Sequence, residues 1–144
     1  FTLAHDDGQI THDLEQADIV VVGVSRTSKT PTCLYLANRG YKVANIPLIP
    51  GIDPPKELFD LDGPLVVGLT KSPDRLVQIR KNRLLNLMED QPSDYVDLQV
   101  VTEEVKRARR LCLERNWPII DVSRRSIEET SAAILNHYGE RKSG

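Results

Sequence analysis

The sequence is poor in the residues that stabilise by special means. Two cysteines in 144 residues, Cys33 and Cys112, lie 79 positions apart and belong to no Cys-x-x-Cys or Cys/His spacing. That pattern excludes a disulfide scaffold and a structural zinc module, and leaves two reduced thiols, the usual state in a cytosolic protein. Aromatic residues make up only 5% of the chain, with one tryptophan, so the core must be aliphatic. No apolar run approaches the ~20 residues that a membrane helix requires, and no signal peptide is recognisable. The formal net charge is −2, without the strong positive field of a dedicated nucleic-acid or membrane-surface binder. These absences predict a cytoplasmic protein with no nucleic acid and no membrane among its partners.

What remains is globular. Apolar residues are 40% and charged residues 28% of the chain, a balance that supports a core rather than disorder. A chain of this size buries roughly 70% of its unfolded surface, as one domain. It begins with Phe1 in FTLAHDDG, so residues 1–16 are expected to be a junction from a longer protein. Residues 17–139 are expected to form the domain, and 140–144 a frayed tail.

Strands and helices alternate along that domain. ADIVVVG, Ala17 to Gly23, is a continuous β-branched run, the signature of a strand buried on both faces. PTCLYLANR, Pro31 to Arg39, reads as a helix, with Pro31 suited to its first turn and Gly40 to its stop. Strands are expected at Tyr41 to Ile46, Pro64 to Leu69 and Pro118 to Val122. Pro47 to Pro55 is a proline-rich loop. Helices are expected from Pro73 to about Met88, from Asp94 to about Arg115 (one or a pair), and from Ser126 to about Tyr138. Ser126 and Glu129 form a capping box at the last of these. The order implies an α/β fold, a mostly parallel sheet flanked by helices, P-loop kinase-like.

One loop carries chemistry. VVGVSRTSKTPT, Val21 to Thr32, matches the phosphate-binding pattern of Gly, four residues, Gly-Lys and Ser/Thr at every fixed position but one. Ser28 stands where the second glycine belongs. Such loops point backbone N–H groups at phosphate oxygens, and the next helix adds the positive end of its dipole. Candidate nucleotide contacts are therefore Gly23, Val24, Ser25, Arg26, Thr27, Ser28, Lys29 and Thr30. Lys29 takes the transferring phosphate, and the Thr30 hydroxyl the metal. The bland alternative is a hydroxyl-rich turn that caps a helix.

Other polar groups allow two readings each. Arg80 and Arg83 on the third-strand helix, with Lys71 and Arg75, could close on a phosphoryl group, since the planar guanidinium grips phosphate bidentately, or could form a solvated basic face. Arg124, after the fourth strand, could lie against a nucleotide base at the ligand-binding edge of the sheet. Asp121 and Ser123 could equally be turn and capping residues. His5-Asp6-Asp7-Gly8 is either an exposed turn or a site where Asp6 or Asp7 orients an acceptor hydroxyl. His12 and His137 read as structural.

Taken together, HDDGQ (5–9), IVVVGVSRTSKTPT (19–32), YLANRGYKVANIPLIPG (35–51), VGLTKSPDRLVQIRKNRL (67–84) and IIDVSRRSIEETSAAIL (119–135) resemble the C-terminal part of the regulatory proteins of pyruvate, phosphate dikinase and phosphoenolpyruvate synthase. GVSRTSKTP carries the resemblance most specifically, and Ser28 belongs to that family's own pattern. The resemblance implies a bifunctional enzyme. One activity transfers phosphate from ADP to a threonine or serine of the target and inactivates it. The other removes that phosphate with inorganic phosphate as co-substrate, releasing pyrophosphate. It implies ADP at Gly23 to Thr30. The chemistry of such loops adds Mg2+ at Thr30 and a catalytic role for Lys29 on the transferring phosphate, and analogy with small kinases gives Asp6 or Asp7 the role of orienting the acceptor. IRKNRLLNL (79–87) favours the dikinase over the synthase as target. A small-molecule P-loop kinase and a non-catalytic nucleotide-binding module are the competing readings. The sequence is silent on the oligomeric state.

Overall fold

A computed structural model of the chain describes residues 14–87 and 97–143. Four strands form one sheet: β1 (Ile19–Gly23), β2 (Val43–Pro47), β3 (Leu65–Thr70) and β4 (Ile119–Asp121). Their order across the sheet is β2-β1-β3-β4, and every pairing is parallel. Among the described residues, five α-helices accompany them: α1 (Lys29–Asn38), α2 (Lys56–Phe59), α3 (Pro73–Leu87), α4 (Leu98–Glu114) and α5 (Ile127–Ser143).

The run IVVVG becomes a central strand because side chains alternate across a sheet, and both faces of this one are covered. Ile19 and Val21 face one core with Cys33 and Leu36 of α1 and Ile134 of α5. Val20 and Val22 face the other with Leu58 of α2 and Cys112 of α4. All five β1 residues are buried, and each fully buried aliphatic side chain contributes about 1.5–3 kcal/mol. A third cluster, Val24 with Leu76 of α3 and Val101 and Val105 of α4, sits where the chain leaves β1. The α3–α4 pair is thus packed directly on the candidate loop.

Expected and observed elements agree in order, with informative differences. Helix α1 begins at Lys29, two residues before Pro31, which therefore lies within the first turn. Of the segment expected from Asp94 to about Arg115, the described part is the single helix α4, capped by Asp97, whose Oδ1 accepts from the N–H groups of Gln99 and Val100 at 2.9 and 3.2 Å; residues 94–96 lie outside the described residues. The Ser126–Glu129 capping box forms in both directions, at 3.1 and 3.2 Å. Helix α5 continues to Ser143, into the segment 140–144 expected as a tail, of which Gly144 lies outside the described residues. Within the expected junction, Leu14–Gln16 form a 3₁₀ turn whose Leu14 is buried in the core. The four-residue α2, after the proline loop, was too short to carry a readable period.

Both cysteines are buried, and burial pushes the Cys112 thiol up to about 11 against the weaker opposing charge of Arg109. Cys112 presses on Gly68 of β3. A Cβ at position 68 would lie 2.6 Å from its Sγ, closer than packed atoms tolerate. Gly68→Ala is therefore expected to destabilise the chain by about 1–3 kcal/mol, the usual cost of overpacking, in urea denaturation. Adding Cys112→Ala should recover part of that loss. A Gly68→Ala chain as stable as its parent would refute this account of how α4 seats on β3.

Candidate functional site

Parallel sheets gather ligands beyond the carboxyl ends of their strands, and the GVSRTSKT stretch lies at that edge. It leaves the end of β1 and enters α1. Close approach fixes its start. A Cβ at Gly23 would lie 2.6 Å from the Leu69 carbonyl oxygen and 3.1 Å from Thr27 Oγ1, so no larger residue fits there unchanged. The Gly23 carbonyl accepts from Leu48 N–H at 2.9 Å, which ties the proline loop after β2 to the same point.

The loop then turns through two left-handed residues, Arg26 (φ 70°) and Ser28 (φ 64°). Left-handed residues in such turns build the N–H concavities that bind anions. Ser28 therefore adopts the backbone region that glycine enters freely, and its side chain makes no capping bond to α1. Two internal bonds hold this shape. Thr27, fully buried, donates its hydroxyl to the Val24 carbonyl at 2.9 Å. Lys29, 6% exposed, folds back so that Nζ donates to the same carbonyl at 2.8 Å. The Lys29 side chain is thus held inside the turn at the N-terminus of α1, the end of a helix at which anions bind. Thr30 follows, and its Oγ1 accepts from the amide of Asn45 on β2 at 3.1 Å.

The remaining candidates are placed unequally. Arg80 does reach the loop, yet not as a group turned toward a ligand. It is buried on α3, bonded to both oxygens of Glu104 at 2.9 Å and to the Ser25 carbonyl at 3.2 Å. Its two terminal nitrogens thus already donate to carboxylate and carbonyl oxygens. Arg26, Arg83 and Arg124 are exposed. Arg124 lies in the loop between β4 and α5, at the same edge of the sheet. Asp6 and Asp7, with His5 and His12, lie outside the described residues. His137, on α5, has Nδ1 3.9 Å from Glu140.

Around β3 and β4 a second polar group forms. Ser72 N–H donates to Ser123 Oγ and Ser123 N–H to Asp121 Oδ1, at 2.9 and 2.8 Å. Partial burial pushes the Asp121 carboxyl up, but the Ser123 hydrogen bonds and the charges of Arg109 and Arg125 outweigh it, and the net direction is down. Lys71 is lowered by burial first and by Arg75 second, against the pull of Asp121. Asp121 and Ser123 thus act as the turn residues that the bland reading described. On the other flank, a cleft of about 320 Å³ lies between the proline loop, from Leu48 to Pro54, and α4, with Val24 in its wall.

Three contributors to the site were not singled out in the sequence: Thr27's hydroxyl bond, Asn45 and Glu104. Asn45 was detectable as a polar residue inside the strand run YKVANIP. Glu104 had no distinguishing mark among the charges of α4. Among the described residues, no group of three or more His, Cys, Asp or Glu could hold a metal ion, and no helix is long and apolar enough to cross a membrane.

These observations define a parallel α/β protein whose central strand ends in a strained, lysine-bearing turn. The chain belongs to the kinase/pyrophosphorylase family, whose model matches residues 1–135. It is 61% identical over 136 residues to a protein of Caulobacter vibrioides, covering 94% of this chain and 43% of that relative. Identity is 62% over 141 residues with a protein of Erythrobacter litoralis, covering 98% and 51% of the two chains. With one from Bradyrhizobium diazoefficiens it is 56% over 143 residues, covering 99% and 51%. All three relatives carry the name pyruvate, phosphate dikinase regulatory protein. The chain spans about half the length of the curated relatives it matches.

The backbone at Ser28 yields a direct test. A left-handed conformation costs a non-glycine residue roughly 1–2 kcal/mol, partly offset by the greater unfolded-state entropy of glycine. Ser28→Gly should therefore leave stability unchanged or raise it by up to about 1 kcal/mol, in denaturant titration. A loss of more than that would show that the serine hydroxyl supports the loop.

Proposed function

We propose that this chain carries the nucleotide site of a bifunctional regulator of pyruvate, phosphate dikinase: an ADP-dependent serine/threonine protein kinase and a phosphate-dependent, pyrophosphate-forming phosphorylase. The observation that carries the reading is the strand–turn–helix at Gly23 to Thr30, with Lys29 held inside the turn by the Val24 carbonyl. The names of the relatives favour the dikinase over phosphoenolpyruvate synthase as the target.

In the forward direction a target hydroxyl oxygen would attack the β-phosphorus of ADP, breaking its bond to the bridging oxygen and releasing AMP. In the reverse direction an oxygen of inorganic phosphate would attack the phosphorylated side chain, releasing the hydroxyl and pyrophosphate. Both steps move one phosphoryl group between oxygens, so one set of positive and N–H donors can serve both. Lys29 would leave the Val24 carbonyl to hold the transferring phosphate. Backbone N–H groups from Val24 to Thr30 would hold the other oxygens, and exposed Arg26 would support them. Arg124, in the loop after β4, would flank the base. The hydroxyl of Thr30, with its orientation restrained by Asn45, fits a Mg2+ ligand. Mg2+ there would supply charge neutralisation on the diphosphate. Asp6 or Asp7 is our candidate for the group that accepts the hydroxyl proton.

The test is calorimetric titration of the chain and of Lys29→Ala with ADP and with ATP, each with magnesium. ADP should bind, ATP more weakly, and the substitution should cost at least about tenfold in affinity, as expected for a lost hydrogen bond to a charged group. Preference for ATP would favour a small-molecule kinase instead. If neither nucleotide binds, the turn is no phosphate cradle in this chain. ADP binding without phosphate transfer to the dikinase would reduce this chain to a non-catalytic nucleotide-binding module.

A further inference from the structure

Behind the loop, one buried arginine joins three parts of the chain. Arg80 of α3 is 1% exposed. Its Nη1 and Nη2 donate to Oε1 and Oε2 of Glu104 on α4, both at 2.9 Å, and Nη2 also donates to the Ser25 carbonyl at 3.2 Å. Glu104 is itself nearly buried, with its side chain 9% exposed. As a means of stabilising the fold this is a poor choice. Two charges withdrawn from water lose most of their mutual attraction to desolvation, and an apolar pair of similar volume often does as well. An apolar pair could not, however, hold a main-chain carbonyl.

That carbonyl determines more than its own direction. The peptide unit is planar and trans, so its C=O and N–H point to opposite sides, and no cis peptide bond interrupts the described chain. With the Ser25 oxygen drawn toward Arg80, the N–H of Arg26 must face away from α3 and α4. Arg26 is the first of the two left-handed residues of the turn. The direction of its N–H is the kind of feature a phosphate-binding concavity depends on. Arg80 alone could swing, because a long side chain has many rotamers. The bidentate grip of Glu104 removes that freedom.

We propose that Glu104 is a positioning residue for the nucleotide site: through Arg80 it locks the Ser25–Arg26 peptide so that the Arg26 N–H is presented as a donor to a phosphate oxygen. The proposal rests on the reading of Gly23 to Thr30 as a phosphate cradle. It adds to that reading a residue 78 positions beyond Arg26 in the sequence, and it gives Arg80 a role apart from direct phosphate binding.

The test compares Glu104→Gln, Arg80→Lys and Ile134→Ala with the unaltered chain. Ile134 lies in the core cluster between α5 and the sheet, which contains neither Arg80 nor Glu104, and its truncation lowers stability without removing a group of the brace. Two readouts are taken well below every melting temperature: ADP affinity with magnesium, and the NMR shift and hydrogen exchange of the Arg26 amide without ligand. Glu104→Gln is expected to weaken ADP binding by about tenfold or more and to move the Arg26 amide resonance. Arg80→Lys should do the same, because one ammonium cannot serve two carboxylate oxygens and a carbonyl in that geometry. Ile134→Ala should lower the melting temperature and change neither readout. If Ile134→Ala weakens ADP binding as much, the effect belongs to stability and the proposal fails. Glu104→Gln binding ADP as the unaltered chain does would also overturn it. Tighter binding would overturn it in another way, by showing that Arg80 is a phosphate ligand which Glu104 restrains. Absence of ADP binding by the unaltered chain would remove the cradle reading and this proposal with it, an outcome distinct from failure of the variants alone.

Discussion

The close approach of Gly23 to the end of β3 sets the geometry at the sheet's functional edge. Without a side chain at 23, the β1 backbone can lie against the Leu69 carbonyl, where a Cβ would be only 2.6 Å away. The same residue binds the proline loop through Leu48 N–H, and Thr27 folds back to within contact of it. Three segments thus converge on one glycine: the lysine-bearing turn, the loop after β2 and the end of β3. A methyl group there would have to displace backbone rather than a flexible side-chain tip. Local rearrangement could not absorb it cheaply, because the two flanking strands are held in register by their ladders.

From that fixed start the turn is held in a strained shape by bonds from within and from behind. Ser28 occupies a left-handed conformation that glycine would adopt more freely. The strain persists because neighbouring groups determine the path. The Val24 carbonyl takes both the Thr27 hydroxyl and the Lys29 ammonium, while Val24 itself is packed against Leu76, Val101 and Val105. Hydrophobic packing anchors the first residue of the loop, and polar bonds then carry that rigidity to the next five. A turn built this way needs less from its second glycine position than the usual pattern suggests.

What could be read from the sequence divides along a physical line. Strand β1 was legible because β-branched residues in an unbroken run fit a sheet covered on both faces. The α5 N-terminus was legible because a capping box is local: Ser126 and Glu129 satisfy one another's backbone within four residues. The turn at 23–30 was legible because its pattern is contiguous. Glu104 was not, since its importance comes from meeting Arg80 across two helices, and neighbouring glutamates on α4 look the same in one dimension. The brace that Arg80 forms was hidden for the same reason. An arginine after a core strand has a plausible phosphate role until a buried carboxylate is found beside it. Asn45 stood out as polar in an apolar strand, but its partner Thr30 becomes its neighbour only when β2 pairs with β1.

A chain with net charge −2 can still build a site for anions, because what acts on a ligand is the local field, not the total. Glu104 illustrates the economy of this arrangement. By pairing with Arg80 in the interior, it removes a buried positive charge from the balance while leaving a strong donor in place for the Ser25 carbonyl. Lys29 is treated differently. Its ammonium donates to the Val24 carbonyl from within the turn, the same oxygen that the Thr27 hydroxyl reaches. The two side chains thus act on the loop from opposite sides: Arg80 holds a peptide oxygen from behind it, and Lys29 is positioned from inside it.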